Sequence, residues 1–272
     1  MNKQVKVSVI MGVFNPGDRE RFLRAVRSIV RQSFTDWELL LYDDGSREPC
    51  ARMIQQAAEM DDRILYIRGQ RNYGLAHALN ECIWRAQGRY IARMDDDDVS
   101  RPDRLERQYA FLESHPQYQW VGSDAELIDR RGIWGYQKMP QAPAKRDFLF
   151  NSPYIHPSVM FRREVLLRSG GYSVAGRNGG CEDYELFMRL HSAGGRGYNL
   201  QEPLLQYHED YAAQKKRTYR RRIREMGLRY RGFKELGILD GSAIRYVLKP
   251  LLVGAVPPPV HHYIKRRIRR EK

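Results

Sequence analysis

Four times before residue 115 the chain runs through the same succession: a short apolar segment, a turn, then apolar residues at helical spacing. The segments are "VKVSVIMGVF", "WELLLYDDGS", "RILYIRG" and "GRYIARMDDDD". The first two are nearly continuous in apolar and β-branched residues, as a strand buried on both faces must be. Phe22, Ala25, Val26 and Ile29 fall on one face of a helix that Asn15-Pro16 can start. Ser46 is placed to cap a helix running to about Ala58. Leu75, Ala78, Leu79, Cys82 and Ile83 line one side of a third helix. Ser100 with Asp103 resembles a capping box, and Pro102 suits the first turn of a fourth helix through about Ser114. Such alternation predicts an α/β fold: a mostly parallel sheet with helices on both faces. Ligands bind such sheets beyond the carboxyl ends of the strands. Phe14-Asn15, Asp43-Asp44 and Asp95 to Asp98 all fall there, so the acidic residues are expected to form one site.

Beyond residue 115 the rhythm changes. "WVGSDAELID" and "GIWGYQKMP" read as antiparallel or irregular strands, and "IHPSVMFRREVLLRSGGY" as strand then helix. "CEDYELFMRLHSAGG" predicts a helix with Leu186, Phe187 and Leu190 inward and Gly194-Gly195 at its end. "EPLLQYHED" predicts a short closing strand. With 272 residues, 42% of them hydrophobic, the chain can build one large core with an appendage. Its net charge of +14 is uneven. From Ala212 on there are 18 Lys/Arg and 4 Asp/Glu, which leaves 29 of each before it. The expected organisation is a neutral body over 1–211, with a nucleotide-binding half (1–115) and an acceptor half (116–211), and a basic helical tail over 212–272. Cys50, Cys82 and Cys181 form no CxxC pair and read as reduced cytosolic thiols. The early apolar run lacks a signal-peptide pattern, and "YVLKPLLVGAVPPPV" is too short and too interrupted to span a bilayer.

The run Asp95-Asp96-Asp97-Asp98 needs a physical explanation, because adjacent carboxylates raise one another's pKa unless a cation neutralises them. On extended backbone Asp95 and Asp97 share a face. An EF-hand calcium loop is excluded: counted from Asp95, Ser100 stands where that loop needs glycine. A solvated acidic turn is the plain alternative. Similarly, Asp44 or Ser46 can simply satisfy backbone donors. Arg71-Asn72-Tyr73-Gly74 can face a phosphate at a helix N-terminus or form an ordinary turn with Gly74 at positive φ. Glu182-Asp183 can serve only the helix dipole.

Six strings, "VSVIMGVFN", "WELLLYDDGS", "NYGLAHALN", "YIARMDDDDVSRPDRLERQ", "HPSVMFRRE" and "CEDYELFMRL", together resemble the family 2 glycosyltransferases, in that family's order and over roughly residues 5–210. The resemblance implies the GT-A fold, a Rossmann-like mostly parallel sheet, and an inverting enzyme of the bacterial polysaccharide or lipopolysaccharide type. It implies that Asp97 ligates Mg²⁺ or Mn²⁺, that Asp95 contacts the ribose or the metal, and that Asp96 lies near the sugar. Asp98 is then left to order the loop. It implies that Asp44 contacts the nucleotide base, with Phe14 and Asn15 lining the same pocket and Ser46, Arg71, Asn72 and Gly74 beside it. Asp183 matches the family's general base, Glu182 assists it, and the glycine-rich "AGRNGGC" before them is a candidate lid. His208 stands near where some GT-A enzymes supply a further metal ligand, and His156 is a weaker candidate for touching donor or acceptor.

The expected donor is a nucleotide-diphospho-sugar, most often UDP-linked, and the acceptor a saccharide or lipid-linked saccharide. The tail mixes basic residues with Tyr219, Leu228, Tyr230, Phe233 and Leu236. It suits a helix packed on the body, an anionic membrane surface or nucleic acid, but no nucleic-acid reader motif is present. The favoured expectation is a cytoplasmic protein, peripheral at the inner face of the cell membrane, with no nucleic-acid partner. A nucleotidyltransferase and a non-catalytic carbohydrate-binding protein remain as alternatives, although "GVFNPGDRERF" is a poor triphosphate loop.

Overall fold

The computed structural model describes residues 5–174, 180–209, 219–256 and 258–270. All four alternations are present. Strands β1 (Val7–Val13), β2 (Trp37–Asp43), β3 (Ile64–Arg68) and β4 (Tyr90–Arg93) lead to helices α1 (Arg19–Val30), α2 (Cys50–Ala58), α3 (Leu75–Arg85) and, after a two-residue β5 (Val99–Ser100), α4 (Arg104–Ser114). There follow β6 (Trp120–Asp129), β7 (Gly132–Gln137), β8 (Met160–Arg162), α5 (Arg163–Arg168), α6 (Glu182–Ser192) and β9 (Gly197–His208). The chain continues with α7 (Tyr219–Glu235), α8 (Ile244–Ala255) and α9 (Pro258–Arg270).

The strands form one sheet in the order β3-β2-β1-β4-β8-β6-β9-β5, with β7 branching from β6. The first four are all parallel, and Val13 pairs with Asp43, so the strand ends carrying Asn15 and Asp44 are level. The second half is mixed: β8 is antiparallel to β4 and β6, and β6 is parallel to β9. Alternation along each strand feeds two core layers. Ile10, Leu40, Tyr42 and Ile91 pack with α3 and α6, while Val9, Met11, Leu39, Leu41 and Ala92 pack with α1, α2 and α4.

Three local expectations are corrected. Ser46 does not cap α2, whose N-cap is Pro49; the serine hydroxyl instead accepts the Asn15 N–H at 2.9 Å. Ser100 lies in β5, paired with β9, where its N–H donates to Ser28, and α4 starts from Asp103 with no side-chain cap. The Ser100 hydroxyl accepts from the Gln32 amide instead, so no capping box forms. Leu75, the first residue of α3, is 40% exposed and turns toward a cavity instead of the core. The closing strand β9 is also longer than expected, at 12 residues.

The described part of the tail is not set apart from the body. Leu228, Phe233, Leu236, Ile238, Ala243 and Val247 belong to the same buried cluster as Trp120 and Phe187. The periodicity of α7 thus buries one stripe against α6, while its arginines other than Arg229 remain on the flanks. Arg229 is itself buried, ion-paired with Glu225 and donating to the Leu149 carbonyl.

Candidate active site

The site begins at the ends of β1 and β2. Asp43 is fully buried and holds the turn, accepting from the Ser46 N–H at 2.7 Å and the Tyr66 hydroxyl at 3.1 Å. Asp44 accepts from the Tyr73 and Gly74 N–H groups at 3.0 and 2.7 Å. This ties the 71–74 loop to the strand end, and a carboxylate bonded this way still has lone pairs to offer. Gly45 is required here: its φ is +74°, and a Cβ would stand 2.5 Å from the Arg71 backbone. Asn15 adopts φ 45°, and its side chain accepts the Arg47 N–H. Phe14, Asn15, Asp44, Ser46, Arg71, Asn72 and Gly74 therefore lie along one linked edge, with Phe14 exposed at 45% and Arg71 resting over the Tyr73 ring.

The aspartate run follows β4 directly. Asp98 is fully buried; one oxygen accepts the His208 N–H at 2.7 Å, and the other, Oδ2, has no hydrogen-bond partner. Burial, then the neighbouring carboxylates, pushes Asp96 up to about 7 and Asp97 up to about 6, and holds Asp98 well above the usual range. His208 and Arg21 are close enough to oppose this at Asp97. Behind the run sits Arg104, a buried arginine on the inner face of α4. It donates to the Arg93 carbonyl at 2.7 Å and faces the Asp98 charge, and burial lowers its pKa to about 9.

Across from the run, a cavity of about 790 Å³ is lined by Arg93, Asp95, His156, Glu182, Asp183 and Tyr207, with α7, α8 and α9 supplying its far wall. Asp183 stands at the N-terminus of α6 with its pKa raised, chiefly by burial. Glu182 accepts the Gly180 N–H at 2.9 Å, and Arg221 of α7 donates to the Gly180 carbonyl at 2.6 Å. The start of α6 is thus clamped from the tail. His156 is hydrogen-bonded to the Tyr172 hydroxyl at 2.7 Å, and burial keeps it neutral by driving its pKa far down. Of the candidate lid, residues 175–181, the stretch 175–179 lies outside the described residues.

The cavity brings Asp95, Glu182 and Asp183 together, and Tyr207 feels the charges of Asp95, Asp97, Asp98 and Asp183. His208 does not line it. It borders a second cavity of about 980 Å³, walled by Arg21, Arg24, Arg27, Arg31, Arg130 and Arg131. Against Asp18, Glu20 and Asp129 in the same lining, these six arginines leave this part of the neutral body's surface net basic. Sequence reading missed Arg93, Tyr172 and Tyr207. Only Arg93 carried a signal, as a charge inside an apolar strand.

A divalent cation fits these residues. Their donors are hard carboxylate oxygens, and their mutual repulsion favours a positive charge. Among the described residues no three acidic, histidine or cysteine side chains form a ready-made metal site.

Comparison with known proteins identifies the family and the fold. The family model described as "Glycosyl transferase family 2" matches residues 8–170. EpsE of Bacillus subtilis (strain 168), named as a glycosyltransferase, is 39% identical over 100% of this chain and 98% of its own. Among solved structures, S. aureus TarS 1–349 in complex with UDP-GlcNAc superposes with a TM-score of 0.68 at 17% identity, covering 90% of this chain and 71% of that one. The mannosyltransferase PcManGT from Pyrobaculum calidifontis, in complex with GDP-Man and Mn²⁺, gives 0.61 at 18% identity, covering 97% and 80%.

Proposed function

The chain belongs to glycosyl transferase family 2, and from that premise we propose that it moves a sugar from a nucleotide-diphospho-sugar to a saccharide or lipid-linked saccharide acceptor, with inversion at the anomeric carbon, in cell-surface glycan synthesis. The observation that carries this reading is the single cavity lined at once by Asp95, at the mouth of the acidic run, and by Asp183. A donor lying along the strand ends would present its anomeric carbon between them.

In this reading Asp44, Phe14 and Asn15 hold the base and ribose, with Ser46 and the 71–74 loop closing around them. Asp97 and Asp95 would hold Mg²⁺ or Mn²⁺, with His208 on the flank; the cation, when bound, offsets the negative charge of the departing diphosphate. Asp96 lies toward the sugar. Asp183 accepts the proton of the acceptor hydroxyl as that oxygen bonds to the anomeric carbon. The bond from that carbon to the diphosphate oxygen breaks, and its electron pair leaves with the nucleotide. The raised pKa of Asp183 makes it a stronger base than an ordinary carboxylate. Membership of the family favours this chemistry over nucleotidyl transfer, and a UDP-linked donor is the first to test. A calorimetric screen of UDP-, GDP-, ADP-, CDP- and dTDP-sugars with and without Mn²⁺ is the direct experiment. One donor should bind in a Mn²⁺-dependent way, and Asp97→Ala should abolish that binding. Equal binding by Asp97→Ala would remove the metal assignment, and no binding by the native chain would remove the donor.

A membrane surface is the proposed setting. Leu248, Leu252, Val260, Tyr263, Ile264 and Ile268 of α8 and α9 are exposed, and Arg245 and Arg267 stand among them. Such a face suits the interface of an anionic bilayer. No helix among the described residues is long and apolar enough to cross one. The double variant Leu252→Ser/Tyr263→Ser, at exposed residues outside the cavity lining, should lose sedimentation with anionic phospholipid vesicles. Unchanged sedimentation would refute this face as the contact.

A further inference from the structure

The arginine-walled second cavity has no part in the reading above. Arg21, Arg24, Arg27 and Arg31 recur every three or four residues along α1 and its C-cap, beside the face that buries Phe22, Val26 and Ile29. The turn between β6 and β7 adds Arg130 and Arg131. Three carboxylates share the lining, and each has a cation: Asp18 pairs with Arg21 at 3.7 Å, Glu20 with Arg27 at 4.0 Å, and Asp129 with Arg266 of α9. Asp18 also feels the charge of Arg130. Arg24, Arg31 and Arg131 are exposed and, among the described residues, have no carboxylate within ion-pair distance.

Cations three and four residues apart on a helix repel one another, so an anion lying along them is favoured. All six are arginines, whose planar forks each match two phosphate oxygens. His208 closes the end near Asp97. The rest of the lining is Ser28, Val99, Ser100, Pro102 and Gly132, which offer no aromatic ring to a nucleobase and little apolar surface to an acyl chain. The cleft therefore suits a phosphate whose apolar part lies elsewhere. Its link to α9 shows where, because Asp129 in the lining is ion-paired with Arg266. Tyr263, one turn before Arg266 on the same side of α9, is exposed and belongs to the face proposed for the membrane. A bilayer under that face would bring its headgroup phosphates beside the β6–β7 turn.

We propose that this arginine cleft binds the headgroup phosphates of anionic phospholipids, so that the charge attraction to a membrane comes from the neutral body and not only from the basic tail. This inference rests on the membrane reading of α8 and α9. Full-length protein is sedimented with phosphatidylcholine vesicles, with and without phosphatidylglycerol. The native chain should prefer the anionic vesicles, and Arg24→Ala/Arg31→Ala/Arg131→Ala should weaken that binding by about tenfold or more. A control that loses the same charge at exposed positions elsewhere, Arg52→Ala/Arg85→Ala/Arg168→Ala, should bind as the native chain does. Unchanged binding by the cleft variant, or an equal loss by the control, overturns the proposal; the second outcome would leave only bulk charge. Inorganic diphosphate, titrated calorimetrically without metal, separates the other source of phosphate. Diphosphate binding that the cleft variant loses while its vesicle binding stays intact would assign the cleft to a free phosphate and overturn the lipid proposal. If the native chain sediments with neither kind of vesicle, the membrane reading itself falls, and this inference with it.

Discussion

Asp96 and Asp97 carry pKa values of about 7 and about 6 because burial and like-charged neighbours disfavour their ionised forms. Folded values above the ordinary 3.8 mean that the folded state binds more protons than the unfolded one between about pH 4 and 7. Without metal, these groups therefore make the fold less stable as pH rises through that window. The paired carboxylates Asp61 and Asp240 are shifted the opposite way, so their contribution is lost only at lower pH. Melting in EDTA is expected to be higher at pH 5 than at pH 8. Mn²⁺ should raise the melting temperature most at pH 8 and lose this effect as pH falls through 7 and 6. A Mn²⁺ shift independent of pH would contradict the assignment. At the same scale, Asp183→Asn removes the proton acceptor and leaves the donor contacts alone. Nucleotide-sugar affinity should stay within a few-fold while kcat falls by about 10²–10⁴; full turnover by this variant would exclude Asp183 as the base.

Helices α6 and α7 decide how the base is presented. Gly232 lets α7 approach Met188 so closely that an added Cβ would sit 2.3 Å from its sulfur, and Phe233 beside it is fully buried. Phe233→Ala should cost about 3–5 kcal/mol, the usual penalty for emptying an aromatic core position, measurable by denaturant unfolding. A loss near zero would mean that α7 does not dock. Arg221→Ala frees Gly180 from α7 and should lower kcat more than it raises the donor KM. The β5–β9 pairing shows how an element displaces a local motif: Ser100 reads as a cap, but its backbone is claimed by a strand 105 residues away, through Ser100 and Leu205.

For the molecule as a whole, the tail is both wall and surface. Removing everything after Ala212 would strip Leu228, Phe233 and Leu236 from the core. Such a fragment should melt well below the full chain or aggregate, which is why point substitutions on α8 and α9 are the cleaner membrane test. The sequence by itself determined the parallel half-sheet, the helices on its two faces and the strand-end positions of Asn15, Asp44 and Asp95. Those features follow from short-range apolar periodicity and from turns adjacent in the chain. It also marked Asp183, through a string that resembles a family. Only the tertiary structure decided that Asp183 faces Asp95 across a cavity and that α7 clamps the loop before it. It alone showed that Arg93 is fully buried with no hydrogen-bond partner, and that Arg130 and Arg131 join the arginines of α1 around one cavity. Each of these depends on contacts between residues far apart in sequence, and no local pattern records which distant group will supply, or withhold, a partner.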